Sequence, residues 1–253
     1  MKIVGFCQLH NELEKGNLEN WFTSMRFCDY IYIYDQNSED GSKEYYKKYP
    51  NVRVIQSDTN NFENEIKCKS LLLETLLKEH PDTDWIFWMD GDTILESGAN
   101  RTSIEYLLKK ADERELDGLS LGHYNLWRSD VHYRIDNEYH WLHNNGVLAF
   151  WKNNGNISFP RTAGLHQNQF PDGMNNVGRV QNLSLIHRGF STDEQITTRY
   201  HIYKNRGQSG WSLDRLLDEK TLKVMRLSDD LLPGWFNIKN DIDPCLLEKI
   251  KND

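Results

Sequence analysis

Two carboxylates lie one residue apart directly after an apolar run of the chain. Trp85–Met89 is apolar throughout, and Asp90, Gly91 and Asp92 follow it. Carboxylate oxygens held together at a strand end are ligands that hard divalent cations prefer, and a glycine lets the backbone turn and a ligand approach. The pattern therefore predicts a metal site, and the alternative is an Asp-Gly turn whose acids are solvated.

The elements that would position this pair alternate between strand and helix patterns. Apolar runs predict four strands in the first part of the chain, at Lys2–Cys7, Tyr30–Tyr34, Val52–Ile55 and Trp85–Met89. Apolar residues at helical spacing predict three helices between them, at Asn17–Phe27, Lys43–Lys48 and Glu63–Lys78. Strands that are apolar on both faces and separated by helices are typical of a parallel sheet covered on both sides. We therefore expect an α/β fold.

Polar segments follow each of the predicted strands. They are Gln8–Glu12, Asp35–Gly41, Ser57–Asn61 and Asp90–Thr93. Open α/β sheets bind their ligands at the carboxyl ends of the strands. The functional site is therefore expected where these four segments meet.

The second part of the chain is less regular. Apolar runs predict strands at Leu116–Leu121, Gly146–Trp151 and Val180–Ile186. A helix is predicted at Ser191–Tyr203 from a capping box at Thr192–Gln195, and another at Pro244–Lys251. The loops between the strands are long and rich in His, Asn, Trp and Tyr, and loops of this length are usually functional. No repeat or linker is evident, so we expect a single domain over residues 1–253.

The composition excludes several classes of protein. The net charge of −8 argues against nucleic acid as a partner, because a nucleic-acid binder needs a basic face. No stretch approaches the roughly 18 apolar residues of a transmembrane segment, and the N-terminus lacks the layout of a signal peptide. The four cysteines show no CxxC spacing, which argues against a zinc site. These features predict a cytoplasmic protein.

The order of three motifs resembles the N-terminal half of family-2 glycosyltransferases of the GT-A fold. The first predicted strand runs into a loop with Asn11 and Glu12. The second ends in Asp35-Gln-Asn-Ser-Glu-Asp-Gly-Ser42, which is similar to the family's Asp-Asn-x-Ser-x-Asp-Gly motif but shifted by one residue. The Asp-x-Asp motif follows at the end of the fourth strand. The resemblance covers residues 2–95 and depends on the order of the motifs, because each motif alone is short.

The resemblance implies both a fold and an activity. The fold would be a single GT-A (Rossmann-like) domain with a central, mostly parallel sheet, helices on both faces and an irregular C-terminal half. Residues 1–95 would bind a nucleotide-diphosphate sugar of the UDP or GDP type, and residues 96–253 a carbohydrate acceptor. The activity would be metal-dependent transfer of the sugar to an acceptor hydroxyl, with inversion at the anomeric carbon.

The resemblance also implies roles for residues of the donor site. Asp92 would bind the metal, and Asp90 would touch the ribose of the donor or a metal-bound water. Asp35 would contact the nucleobase or the ribose, with the capping of its own turn as the alternative. The other residues expected at the nucleotide sugar are Asn11, Glu12, Gly91 and Lys67. For Lys67, as for Lys69, the alternative is a solvated helix face.

His187, Arg188 and Gly189 follow the last predicted strand of the sheet. Many GT-A enzymes have a histidine at this place that completes the metal shell. An imidazole ligand would favour Mn²⁺ over Mg²⁺, because Mg²⁺ prefers sites made of oxygen alone. Arg188 could face the diphosphate with its planar guanidinium. The alternative for His187 is a structural histidine at a strand end.

Residues 123–145 combine aromatic rings with amide, acidic and basic groups. Such a surface suits a sugar, which has an apolar face and a hydroxyl edge. The residues that we expect to bind the acceptor are Trp127, Arg134, Trp141 and His143. The alternative is an ordinary aromatic core with a polar rim.

Transfer with inversion needs a carboxylate that takes the proton of the acceptor hydroxyl. In related enzymes this group lies in a loop between the Asp-x-Asp motif and the last core strand. Asp172 lies in that part of the chain and is the first candidate, although Pro-Asp-Gly is also an ordinary turn. Asp136 and Glu138 are the alternatives.

Three other functions share features of this sequence. A haloacid-dehalogenase-like phosphatase also has an apolar strand that ends in Asp-x-Asp, but its motif lies near the start of the domain, with Thr or Val where this chain has Ile94. A nucleotidyltransferase would show a glycine-rich loop with a basic residue after the first strand, which this sequence lacks. A non-catalytic carbohydrate-binding relative of the fold would be favoured if Asp90, Asp92 or His187 lay away from the cleft.

Overall fold

The computed structural model describes residues 1–60, 64–96, 99–136, 146–159, 170–205, 207, 211–217 and 222–227. The strands in these residues are β1 (Ile3–Leu9), β2 (Tyr30–Asp35), β3 (Val52–Gln56), β4 (Trp85–Trp88), β5 (Thr93–Leu95), β6 (Gly118–Asn125), β7 (His132–Arg134), β8 (Val147–Lys152), β9 (Val177–His187) and β10 (Val224–Arg226). The helices are α1 (Leu18–Met25), α2 (Ser42–Tyr46), α3 (Glu65–Glu79), α4 (Arg101–Glu113), α5 (Asp193–Asn205) and α6 (Trp211–Asp214).

A mixed sheet contains eight of these strands, in the order β3-β2-β1-β4-β8-β6-β9-β5. The strands β3, β2, β1 and β4 are parallel to one another. Because β8 is antiparallel to both β4 and β6, β6 and its parallel neighbour β9 run in the same direction as the first four. Six strands therefore end at one edge of the sheet, which we name the carboxyl edge. The α/β class and the mostly parallel sheet expected from the sequence are confirmed, and β7 pairs with β10 in a separate small sheet.

Apolar side chains of the central strands point alternately to the two faces of the sheet. On one face, Ile3 and Cys7 of β1 belong to the same apolar cluster as Trp21 and Met25 of α1. On the other face, Phe6 belongs to a cluster that includes the apolar side of α3. Helices therefore cover both faces, as the apolar runs of the strands predicted.

Some elements were not predicted from the sequence. The strands β5, β7 and β10 have three residues each, which is too short for a periodic pattern. Helix α4 begins with a capping box, in which Oδ1 of Asn100 accepts from the backbone N–H of Ser103 (3.2 Å) and Oγ of Ser103 accepts from that of Asn100 (3.0 Å). Strand β6 continues to Asn125, beyond the predicted end at Leu121. The helix predicted at 244–251 lies outside the described residues.

The helix start predicted near residue 192 is confirmed. The backbone N–H of Gln195 donates to Oγ1 of Thr192, and that of Thr192 donates to Oε1 of Gln195, each at 3.2 Å. Helix α5 follows directly and carries one residue of the site described below. Among the helices of the described residues, none combines the length and the apolar character that crossing a membrane requires.

Candidate functional site

The pairing of β5 with β9 brings two predicted metal-binding segments together at the carboxyl edge. Asp90 and Asp92 lie in the turn between β4 and β5. Thr93 is opposite His187 in the antiparallel register of β5 and β9. The backbone N–H of Arg188 donates to the carbonyl oxygen of Asp92 (2.8 Å). Asp92 and His187 are therefore neighbours in the folded chain.

Asp92 lies between two basic side chains. Its Oδ2 is 3.3 Å from Nε2 of His187 and also contacts the guanidinium of Arg199 from α5. Burial alone would raise the pKa of Asp92, but His187 and Arg199 hold it well below its usual range. The other oxygen, Oδ1, makes no hydrogen bond or ion pair within the described part of the chain. Asp92 is thus a charged carboxylate with one oxygen still open.

Asn125 at the end of β6 orients the imidazole of His187. Nδ1 of His187 lies within hydrogen-bond distance of Oδ1 of Asn125 (2.9 Å), and this contact turns Nε2, the other ring nitrogen, towards Asp92. The amide nitrogen of Asn125 lies 3.2 Å from Nδ1 of His123, whose pKa is lowered to about 3 by burial and by His187. Asn125 therefore holds the imidazole of His187 with Nε2 turned towards Asp92.

Asp90 is an exposed residue of this turn. Protein atoms nevertheless surround it, and this desolvation, together with the negative charge of Asp92, raises the pKa of Asp90 to about 6. Among the described residues, its side chain has no hydrogen-bond or ion-pair partner. Asp90 is therefore accessible to a ligand beside Asp92.

Gly91 leaves no space for a side chain between the two carboxylates. A Cβ at this position would lie 2.6 Å from Cδ2 of Leu9 and 2.9 Å from Cγ of Glu12, which close packing does not tolerate. Glu12 is buried and accepts hydrogen bonds from Nζ of Lys15 and Nδ2 of Asn17, both at 2.8 Å. Burial raises the pKa of Glu12, and Lys15 partly opposes that shift. Glu12 supports the turn around Gly91, and its contact with a nucleotide sugar stays a prediction, as does that of Gly91.

Asn11 ties the loop after β1 to the loop after β2. Its Oδ1 accepts from the backbone N–H of Glu39 (2.8 Å), and its own backbone N–H donates to Oγ of Ser38 (2.9 Å). Asn11 has a positive φ of 52°, a conformation that asparagine adopts more readily than most residues. The structure places Asn11 at the carboxyl edge in a positioning role, and its contact with a donor stays a prediction.

Asp35 is fully buried at the end of β2. Three donors use its carboxylate, and they are the backbone N–H of Ser38 (2.8 Å), Nε2 of Gln56 (2.7 Å) and the hydroxyl of Tyr46 (3.0 Å). These contacts match the alternative in which Asp35 caps the turn that follows it. The structure therefore argues against the contact with a nucleobase or ribose, because the side chain offers no surface to a ligand.

The two lysines of α3 have opposite surroundings. Lys67 is exposed, as the alternative of a solvated helix face predicted. That alternative is wrong for Lys69, which is fully buried, with Nζ 2.6 Å from Oε1 of Glu65 and 4.0 Å from the ring centroid of Trp88. Burial and Asp92 raise the pKa of Asp90, and the charge of Lys69 partly opposes that rise. Of the two lysines, Lys69 is the one that acts on the Asp-x-Asp motif.

Arg199, rather than Arg188, is the arginine that contacts Asp92. Arg188 instead donates from Nη1 to Oδ1 of Asn17 (3.2 Å), and its Nη2 is 3.6 Å from Oδ1 of Asp130. Its side chain is 20% exposed, so a role at a diphosphate stays a prediction. No motif marks Arg199 or Asn125 in the sequence, and reasoning from the sequence missed both.

The predicted acceptor residues Trp127 and Arg134 lie in the core. The guanidinium of Arg134 is 4.3 Å from the ring centroid of Trp127 and donates two hydrogen bonds to Asp136 (2.8 and 2.9 Å). Trp127 is 3% and Arg134 1% exposed, so neither offers a surface to a sugar, and the alternative of an aromatic core applies.

Asp136 is unsuited to the role of proton acceptor. Burial would raise its pKa, but the hydrogen bonds from Arg134 and from the backbone of Lys223 lower it. A carboxylate with a lowered pKa and both oxygens in use accepts a proton poorly. The structure therefore argues against Asp136 as the base.

Asp172 lies near the opposite edge of the sheet from Asp92. It pairs with Ser158 through two backbone hydrogen bonds. The residues that follow Asp172 then form hydrogen bonds with Asp117, which lies directly before β6. From this point to His187, β9 runs beside β6 from Gly118 to Asn125, a span of roughly 23 Å at about 3.3 Å per residue. The structure therefore argues against Asp172 as the base at this site. Three other predicted site residues lie outside the described residues. They are the alternative base Glu138 and the predicted acceptor-binding residues Trp141 and His143.

The candidate site supplies an incomplete set of metal ligands. In the described ranges, no three side chains of His, Cys, Asp or Glu converge to hold a metal ion by themselves. Asp92 and His187 offer one oxygen and one nitrogen, a mixed set that suits Mn²⁺ better than Mg²⁺. Phosphate oxygens and water would have to complete the coordination shell.

Some solved structures are distantly similar to this chain. No protein-family model matches the sequence, and no curated protein matches it. A solved 4-diphosphocytidyl-2C-methyl-D-erythritol synthase from Anaerococcus prevotii is similar over 99% of this chain and 95% of that chain, with 11% identity and a TM-score of 0.31. A crystal structure described as a mycobacterial protein is similar over 94% of this chain and 89% of that chain, with 8% identity and a TM-score of 0.42. Similarities at this level assign neither a family nor a function.

Proposed function

We propose that the chain transfers a sugar from a nucleotide-diphosphate sugar to an acceptor hydroxyl, with the help of a divalent metal ion. The observation that carries the proposal is the placement of Asp90, Asp92 and His187 together at the carboxyl edge. Open α/β sheets bind ligands at that edge. The motif order that resembles family-2 glycosyltransferases of the GT-A fold supports the choice of a nucleotide sugar as the donor.

Charge explains why such a site would need a metal ion. The chain carries a net charge of −8, and the carboxylates of Asp90 and Asp92 would repel a diphosphate. Asp92 and His187 would hold the ion through a carboxylate oxygen and Nε2, with Asp90 beside them at the ribose or at a bound water. A divalent ion in that position stabilises the negative charge of a leaving diphosphate.

The proposed reaction requires a group that takes the proton of the acceptor hydroxyl. Transfer with inversion needs a carboxylate close to the acceptor hydroxyl. Asp136 is unsuitable because its carboxylate forms an ion pair with Arg134. Asp172 is unsuitable because it lies near the other edge of the sheet. Glu138 remains a candidate on the sequence alone.

Thermal unfolding with nucleotides tests the donor site. We expect UDP or GDP to raise the melting temperature only when Mn²⁺ is present. A ligand that binds the native state alone adds about 2.7 kcal/mol of stability at a hundredfold excess over its Kd. No shift with any nucleoside diphosphate, with or without Mn²⁺, would contradict the proposal and favour the phosphatase or the carbohydrate-binding alternative.

A pair of variants shows whether such a shift arises at the carboxyl edge. His187→Ala should remove the part of the shift that depends on Mn²⁺, because Nε2 would be a metal ligand. Asp82→Asn is the matched control, since Asp82 is exposed before β4, at the other edge, and forms an ion pair with Lys2 (2.6 Å). The control should keep the full shift, and a loss in both variants would point to a general effect on folding.

A further inference from the structure

Several contacts fix Arg199 against Asp92. In addition to its contact with Oδ2 of Asp92, the guanidinium donates from Nε to the carbonyl oxygen of Gly189 (2.8 Å). It also donates from Nη1 to the hydroxyl of Tyr203 (3.3 Å) and lies 5.1 Å from the ring centroid of Phe190. The position of this cation is therefore set by the end of β9 and by α5 itself.

A glycine makes the contact possible. A Cβ at Gly189 would overlap both the guanidinium of Arg199 and Nε2 of His187. The two basic groups therefore converge on one oxygen of Asp92 across a stretch of backbone that carries no side chain. As a result, a protein cation lies where the proposed metal ion would bind.

A guanidinium and a divalent ion compete for this oxygen. Oδ2 of Asp92 is 3.3 Å from Nε2 of His187 and also contacts Arg199. A metal ion held by Asp92 and His187 would therefore be close to the guanidinium of Arg199, and two positive charges in close proximity repel each other strongly. Within the described chain, no group of three ligands offsets this repulsion. A diphosphate would offset it, because its negative charge can be shared by both cations.

We infer, on the basis of the function proposed above, that Arg199 is an exchangeable counterion of Asp92. In the absence of a donor, Arg199 neutralises Asp92; when a nucleoside diphosphate binds together with the metal, Arg199 turns to the phosphate oxygens. The Arg199 side chain is 28% exposed, and the planar fork of a guanidinium matches the geometry of phosphate. Metal and nucleotide must then bind with positive coupling, and Arg199 carries that coupling.

Calorimetric titration of Mn²⁺ into the full chain, alone and with UDP or GDP, measures the coupling. In the wild type we expect weak binding of Mn²⁺ alone and binding about tenfold tighter, or more, with the nucleotide. In Arg199→Met we expect Mn²⁺ alone to bind about tenfold tighter than in the wild type, because the competing cation is gone. In the same variant, adding the nucleotide should increase the affinity for Mn²⁺ by a smaller factor than in the wild type.

The matched control is Arg128→Met. Arg128 pairs with Asp193 (2.5 Å) in the first turn of α5, so the variant removes a cation near the same helix without touching Asp92. It should bind Mn²⁺ as the wild type does. A second variant, Tyr203→Phe, keeps the charge of Arg199 and removes one of its hydrogen bonds. It should shift Mn²⁺ binding in the same direction as Arg199→Met but less, and it serves as the test if circular dichroism shows that Arg199→Met does not fold.

Two negative results can be told apart. If the folded variants bind Mn²⁺ alone no more tightly than the wild type and keep its coupling within about twofold, Arg199 is not the counterion and this inference is overturned. If the wild type itself binds no Mn²⁺ even with UDP or GDP, the proposed function fails and the inference fails with it.

Discussion

Two aspartate–arginine pairs in this molecule have the same chemistry and different surroundings. Arg134 and Asp136 share two hydrogen bonds, and their side chains are 0% and 5% exposed. Arg199 and Asp92 meet at the carboxyl edge, where their side chains are 28% and 17% exposed. The first pair uses both oxygens of its carboxylate, whereas the second leaves Oδ1 of Asp92 without a contact among the described residues.

The comparison shows what distinguishes a structural ion pair from one available to a ligand. Asp136 also accepts from the backbone N–H of Lys223 (3.1 Å), and Arg134 also donates to the carbonyl oxygen of Arg215 (2.8 Å). Such a fully satisfied buried network stabilises one packing arrangement. Asp92 instead has a partly exposed side chain, and within the described residues its Oδ1 makes no hydrogen bond or ion pair. Burial and the number of contacts, rather than residue type, separate the two roles.

Asp92→Asn should have the largest effect, and the effect should be on activity. The amide keeps the size of the side chain but removes the charge that would hold the metal, so we expect kcat to fall by roughly 10³-fold or more. The measurement is transfer from UDP-sugars or GDP-sugars, with the base chosen from thermal unfolding. Asp172→Asn is the control at the other edge and should retain activity within about twofold. Near-normal transfer by Asp92→Asn would disprove the metal assignment.

Arg134→Met should have the next largest effect, on stability. It leaves Asp136 buried without its partner, and breaking a buried pair in this way costs about 3–5 kcal/mol. Arg199→Met should cost only about 1 kcal/mol, because Asp92 keeps contact with water and His187. Urea unfolding gives both free energies. Equal losses in the two variants would remove the distinction drawn between the pairs.

The smallest expected effect is a change in the pH dependence of stability. Burial raises the pKa of Asp136, but Arg134 and the backbone of Lys223 lower it below the usual value of 3.8. A carboxyl group whose pKa is lower in the folded state contributes stability above its unfolded pKa and loses that contribution as the pH falls through its folded pKa. Asp136→Asn should therefore lose stability less steeply than the wild type below about pH 4. Urea unfolding over that pH range tests this prediction. If the free energy of unfolding falls with pH at the same slope in both proteins, Asp136 does not cause the loss of stability at low pH.

Features that depend on neighbouring residues could be predicted from the sequence. Apolar runs and helical spacing located β1 to β4 and the helices between them, and the capping box located the start of α5. The spacing of Asp90 and Asp92 at a strand end indicated a ligand site. These features follow from the covalent geometry of the chain, in which periods of two and 3.6 residues determine which side chains share a face.

Only the tertiary structure decided which distant groups meet. The register of β5, β9 and β6 places Asn125 and His187 at Asp92, and the start of α5 brings in Arg199. The same packing puts Asp172 near the far edge and makes Asp35 the cap of a buried turn. Strand register and burial are set by the packing of the whole chain, so a local motif cannot specify which distant side chain will complete it.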